Sequence, residues 1–140
     1  MVNRLSTMVA FIDDFEVTAT QREQLRKLAA DLSKEVDPVV RVWFVEQVDR
    51  PEETSDAPIE TVGIAASVPK TAASPEEDRR CLQGVARVLR TIADWTKEGP
   101  DIEVEWDQQL VGTIRAGTLD RGIADVLLGE WARHLDSLDK

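Results

Sequence analysis

From Asp101 to Asp107, carboxylates and apolar side chains take turns: Asp101, Glu103, Glu105 and Asp107 alternate with Ile102, Val104 and Trp106. Successive side chains of an extended strand point to opposite sides, so this stretch calls for a sheet with one oily face and one wet face. The same period of two runs through Glu60 to Val68. Val62, Ile64, Ala66 and Val68 share one side there, and Thr61, Gly63, Ala65 and Ser67 share the other. Two further segments read as strands: residues 5–12, and the β-branched and aromatic run from Val39 to Val48.

Helices are marked by capping residues and by a change of period. Thr18 with Gln21, or equally Thr20 with Glu23, can form a capping box ahead of Leu25, Leu28, Ala29, Leu32 and Val36. The spacing predicts a helix over about 19–36, stopped ahead of Pro38 because a residue preceding proline avoids helical geometry. Ser74-Pro75-Glu76-Glu77 is a second start signal, with serine as cap, proline at the first helical position and Glu77 completing the box. The stripe Leu82, Val85, Ala86, Leu89, Ile92 and Ala93 follows, and Gly99-Pro100 ends it. Asp120 can cap a last helix reaching about Leu138, with Ile123, Leu127, Trp131 and Leu135 inward and Val126 and Leu138 beside them. Gly84, Gly122 and Gly129 are costly inside helices, so close packing is expected at them.

Ile102–Trp106 and Leu110–Arg115 read as a hairpin. A three-residue connection, Asp107-Gln108-Gln109, sets Trp106 opposite Leu110, Val104 opposite Gly112 and Ile102 opposite Ile114 on the core face. It also sets Asp101 opposite Arg115 on the other face, a favourable cross-strand pair. One feature resists: the last loop position ordinarily takes glycine, and Gln109 occupies it.

The expected order is βαββαββα in one α+β domain spanning 1–140, with a mostly antiparallel sheet. Its first six elements resemble the ferredoxin-like βαββαβ arrangement, with an added hairpin strand extending one edge and a C-terminal helix returning over the sheet. This is a resemblance of topology, and no function travels with it.

Composition narrows the partner. The chain of 140 residues carries 27 acidic and 17 basic side chains, for a net charge of −10. That balance opposes binding to nucleic acid or to anionic membranes, both of which recruit Lys and Arg. No signal-peptide pattern and no apolar run of membrane-spanning length is read from the sequence. One cysteine, Cys81, excludes an internal disulfide and fits a reducing compartment, so a cytoplasmic location is expected.

No catalytic constellation, metal-ligand set or cofactor motif emerges, and the reading leans away from an enzyme. Cys81 lies near a capped helix start, where a thiolate is favoured, but the one histidine, His134, belongs to another helix. A small buried hydrophobe is the plainer role for that cysteine. The acids Asp13, Asp14 and Glu16, and Glu52, Glu53 and Asp56 in the acidic 49–58 loop, lack the spacing and glycine of a calcium loop. Trp95, Trp106 and Trp131 are expected in the core.

The residues expected to bind a partner are Trp43, Arg41, Asp101, Glu103, Glu105 and Asp107. Val40, Val42 and Phe44 would face the helices, turning Arg41, Trp43 and Val45 outward beside Gly63 and Ala65. An aromatic next to a smooth, charge-ringed patch has the make-up of an interface hot spot. The function expected is a non-enzymatic protein-binding module, in concrete form an immunity or antitoxin-type inhibitor offering carboxylates to a basic protein. The alternative is a small-molecule binding or sensing domain, homodimeric through the open sheet face, with Thr61, Gly63, Ala65 and Ser67 flooring a pocket under Trp43.

Overall fold

A computed structural model describes residues 5–13, 17–49, 59–69, 74–107 and 109–138. The elements are β1 (Leu5–Asp13), α1 (Ala19–Glu35), β2 (Arg41–Asp49), β3 (Ile59–Pro69), α2 (Pro75–Thr96), β4 (Ile102–Trp106), β5 (Gln109–Arg115) and β6 (Thr118–Leu119). A π-helical segment, Gly122–Gly129, then runs into α3 (Glu130–Leu138). The protein is α+β, with one open sheet of six strands in the order β2-β3-β1-β4-β5-β6 and every neighbouring pair antiparallel.

The capping chemistry holds both long helices in place. Thr18 accepts the Gln21 N–H at 3.1 Å while Gln21 Oε1 accepts the Thr18 N–H at 2.9 Å, so the first of the two alternative boxes is the one formed. Ser74 Oγ accepts the Glu77 N–H at 3.2 Å, with Pro75 at the first helical position. In α2, Val85, Ala86, Leu89, Ile92 and Ala93 are buried as expected, Leu82 is only half-buried, and Cys81 and Val88 widen the buried side.

The alternation read from the sequence decides which side of the sheet is covered. Met8, Ala10 and Ile12 of β1, Val42 of β2, Val62, Ile64, Ala66 and Val68 of β3, Ile102 and Val104 of β4 and Ile114 of β5 are buried against the helices. The opposite phase carries Val9, Phe11, Thr61 and Val45 half-buried and Arg41, Trp43 and Glu103 exposed, with the small Gly63, Ala65 and Ser67 of β3 buried between the neighbouring strands.

The C-terminal third departs from expectation in four ways. The sheet has an extra strand, β6, so the order is not βαββαββα. Ala116 and Gly117, both at positive φ (48° and 83°), join β5 to β6, with Arg115 opposite Thr118. A two-residue hairpin wants that backbone at both positions, and Ala-Gly hides it because alanine rarely adopts it. The Gly117 N–H is then anchored on Thr96 Oγ1 at 3.0 Å. Second, the β4–β5 turn is shorter than expected. Ile102 opposite Ile114 and Val104 opposite Gly112 are as expected, but Trp106 faces Gln109 and Glu105 faces Leu110. A bulge at Val104/Glu105 absorbs one residue, which removes the need for glycine at Gln109 and leaves the core register unchanged.

Third, residues 122–129 are wound as a π-helix rather than an α-helix. Fourth, the Asp120 carboxylate does not cap it. Asp120 Oδ2 accepts the Thr113 N–H at 3.4 Å, and the helical segment begins on the Asp120 carbonyl, which accepts from Ile123 and Ala124. Ile123 and Leu135 are buried as expected, while the side chains of Val126 and Leu138 lie outside the described residues.

Candidate functional site

The last helix settles beside α2, not over the open sheet. Trp131 of α3 donates its indole N–H to Asp78 Oδ1 of α2 at 2.8 Å, and its ring meets Trp106 of β4 edge-on, with centroids 5.9 Å apart. Among the described residues no helix packs on the outer side of the sheet. Strand register lays that side out in rows. One runs Trp43, Ala65, Val9, Glu105, Leu110, and the next runs Val45, Gly63, Phe11, Glu103, Thr113. Trp43 is 43% exposed and Leu110 is 64% exposed, the two large apolar side chains most open to solvent among the described residues.

The six residues expected to meet a partner divide into separate groups. Trp43 and Arg41 lie on β2, the edge strand, while Glu103 and Glu105 lie on β4, three strand spacings or about 14 Å across the sheet. Trp43 is therefore bordered by Ala65 and Val9 rather than ringed by carboxylates, and Arg41 is too distant to relieve the charge on β4. Glu103 and Glu105 make no ion pair among the described residues. The two acids flanking them are engaged within the fold. Asp101 Oδ2 pairs with Arg115 Nε at 3.2 Å, the cross-strand pair expected from the hairpin. Asp107 has φ of 50°; its N–H donates to the Thr7 carbonyl and its Oδ1 accepts the Thr7 N–H, both at 2.9 Å. Asp107 thus extends the β1–β4 ladder by one side chain.

Gly63 and Ala65 belong to the sheet and form no pocket floor. A Cβ on Gly63 would lie 1.9 Å from the Ala10 carbonyl oxygen, so the residue is glycine because β1 and β3 approach too closely for anything larger. A concavity lies elsewhere, on the helix side. A cleft of about 800 Å³ opens between the start of β1, the end of β3, the β4–β5 hairpin, the first turn of α2 and the C-terminal helical segments. Trp106, Trp131, Asp78, Asp107, Glu130 and His134 are on its walls. Neither Trp43 nor any of the four small β3 residues lines it. Sequence reasoning did not bring these walls together because they come from seven elements that only the fold assembles.

The tryptophans expected in the core are half-buried at its border. Each has an indole N–H to satisfy, and Trp95 meets Gln24 Oε1 at 3.1 Å as Trp131 meets Asp78. Cys81 is almost fully buried, and burial, then the nearby Asp78 and Glu77 carboxylates, push its thiol up to about 11. A helix start therefore does not activate it, because desolvation and acidic neighbours outweigh the dipole and Arg80. Among the described residues no group of three His, Cys, Asp or Glu side chains could hold a metal ion, and no helix is long and apolar enough to cross a membrane. Glu52, Glu53, Asp56, Asp14 and Glu16 lie outside the described residues. Comparison with protein-family models, curated proteins and solved structures gives no match.

Proposed function

We propose that this chain is a non-enzymatic protein-binding module that docks a basic partner protein on the outer face of its sheet. The observation that carries the reading is a sheet face on which no described helix packs, bearing an exposed tryptophan at one side and, at the other, two carboxylates without ion pairs among the described residues. A partner with an aromatic-sized pocket and Lys or Arg about 14 Å from it would match both ends. A second copy is disfavoured as the occupant, since two chains of net charge −10 repel. An immunity-type inhibitor of a basic enzyme, presenting Glu103 and Glu105 where a phosphate backbone would sit, is the concrete form of this role. The successive β2-β3-β1-β4 order, with α1 and α2 in the crossovers, supports reading the first six elements as a ferredoxin-like core, and the reduced thiol of Cys81 supports a cytoplasmic setting.

The test is capture from the native cell at low salt, followed by kinetics on each basic protein recovered. Wild type, Glu103→Lys/Glu105→Lys and Trp43→Ala are compared. Association should slow about tenfold or more with the double reversal and with salt raised well above 0.1 M, where the screening length falls below about 10 Å. Trp43→Ala should speed dissociation. A partner whose association ignores salt and the double reversal, and whose dissociation ignores Trp43→Ala, would refute the docking face, and a chain that self-associates without a partner would replace it with a homodimer.

A further inference from the structure

The cleft on the helix side has a chemistry of its own, independent of the docking face. We propose that it binds an organic cation, an amine or quaternary ammonium carrying an apolar body. Its volume of about 800 Å³ falls within the span of small-molecule sites, about 300–1,000 Å³. Among the described residues three carboxylates, Asp78, Asp107 and Glu130, line it together with His134, and no Lys or Arg does. An anionic ligand would therefore enter against these carboxylates. The carboxylates do not converge to a metal-ligand group; they are spread around a wall that also holds two indole rings. A compact, strongly hydrated metal ion needs several oxygens at one point, whereas a diffuse organic charge needs aromatic faces and acceptors at its periphery.

The site is held ready by the fold. Trp131 and Trp106 meet at an interplanar angle of 65°, so a body lodged against them meets the face of one ring and the edge of the other. The Trp131 indole is fixed by Asp78 at 2.8 Å, and Asp107 by the Thr7 N–H at 2.9 Å. Each of those bonds occupies one lone pair of a carboxylate that has about four acceptor positions. Both groups are thus positioned while keeping lone pairs for a cationic ligand, which lowers the ordering cost of binding. Apolar surface for the rest of the ligand comes from Leu127 and Val111. Ser6, 6% exposed, adds a hydroxyl-bearing side chain to the wall.

The experiment titrates the full chain with benzyltrimethylammonium, benzyl alcohol and benzoate, read by calorimetry and by the indole N–H resonances. The cation should bind with Kd below about 1 mM, shifting the Trp106 and Trp131 resonances and sparing Trp43. Benzyl alcohol should bind about tenfold more weakly, and benzoate not detectably. Asp78→Asn retains an acceptor for Trp131, and Glu130→Gln alters an exposed side chain, so both should fold. Each should weaken the cation several-fold while leaving benzyl alcohol unchanged. Equal affinity for cation and alcohol, binding that leaves the Trp106 and Trp131 resonances in place, or no binding to the folded protein would overturn the proposal. Glu103→Lys/Glu105→Lys should leave the titration unaltered, so the cleft and the docking face stand or fall separately.

Discussion

Gly122, the first residue of the π-helical segment, offers a test in which two physical effects have opposite signs. By helix propensity alone, alanine in place of glycine should stabilise by up to about 1 kcal/mol. The structure predicts the reverse. A Cβ at Gly122 would sit 2.0 Å from the Val111 carbonyl oxygen, a backbone atom held in β5. No rotamer relieves that overlap; the helical start must lift off the strand by more than 1 Å. Lifting it loosens Ile123, which is fully buried and whose burial contributes about 1.5–3 kcal/mol. Overpacking of this kind costs about 1–3 kcal/mol, so a net loss of about 2 kcal/mol remains for Gly122→Ala. With an unfolding entropy of about 2.1 cal/mol/K per residue, that is a fall in Tm of about 7 °C for this chain. Gly129→Ala is the internal control. Its added methyl would lie 3.2 Å from the Ala124 carbonyl oxygen, a tight contact that a few tenths of an ångström relieve, so its Tm should stay within about 3 °C of wild type. Calorimetry and urea unfolding of the three proteins decide the matter. Equal Tm values for Gly122→Ala and wild type, or equal losses for both glycines, would refute the steric argument.

Two further outcomes follow from caps and burial. Thr18→Ala removes the acceptor of the Gln21 N–H and should cost about 1 kcal/mol in urea unfolding, with Thr18→Ser restoring most of it. Cys81, with its thiol raised from 9.0 to about 11, should react with an aromatic disulfide reagent near pH 8 at least about a hundredfold more slowly than the same thiol in urea. Because the folded value is the higher one, the stability it contributes is complete below pH 9 and is lost as pH rises towards about 11. Cys81→Ala should lack that part of the alkaline loss, and identical alkaline melting curves would show the thiol to be indifferent to its surroundings.

Local signals were legible wherever a short stretch decides the structure. Thr18 with Gln21 and Ser74 with Pro75 start their helices as their side chains dictate. The two phases of β3 and the alternation of β4 assign the buried side, and Ile102, Val104 and the Asp101–Arg115 pair take the expected register. What stayed hidden depends on chain segments far apart, or on backbone states that the residue types disguise. Ala116 conceals a turn because alanine seldom adopts positive φ. The π-helical winding had one trace in the strict four-residue spacing of Ile123, Leu127, Trp131 and Leu135. On an α-helix each such step turns about 40° beyond a full revolution, which a wider coil reduces. The cleft had no trace at all, because Asp78 and Trp131 are brought together only by the packing of α3 on α2.

The one-residue excess in β5 has an evolutionary reading. It divides the β4–β5 ribbon into a base, counted by Ile102 and Ile114, and a tip, counted by Trp106 and Gln109. A change in length at the tip can be taken up there without turning the base inside out. The rim of the cleft can therefore be recut while the platform beneath it keeps its register.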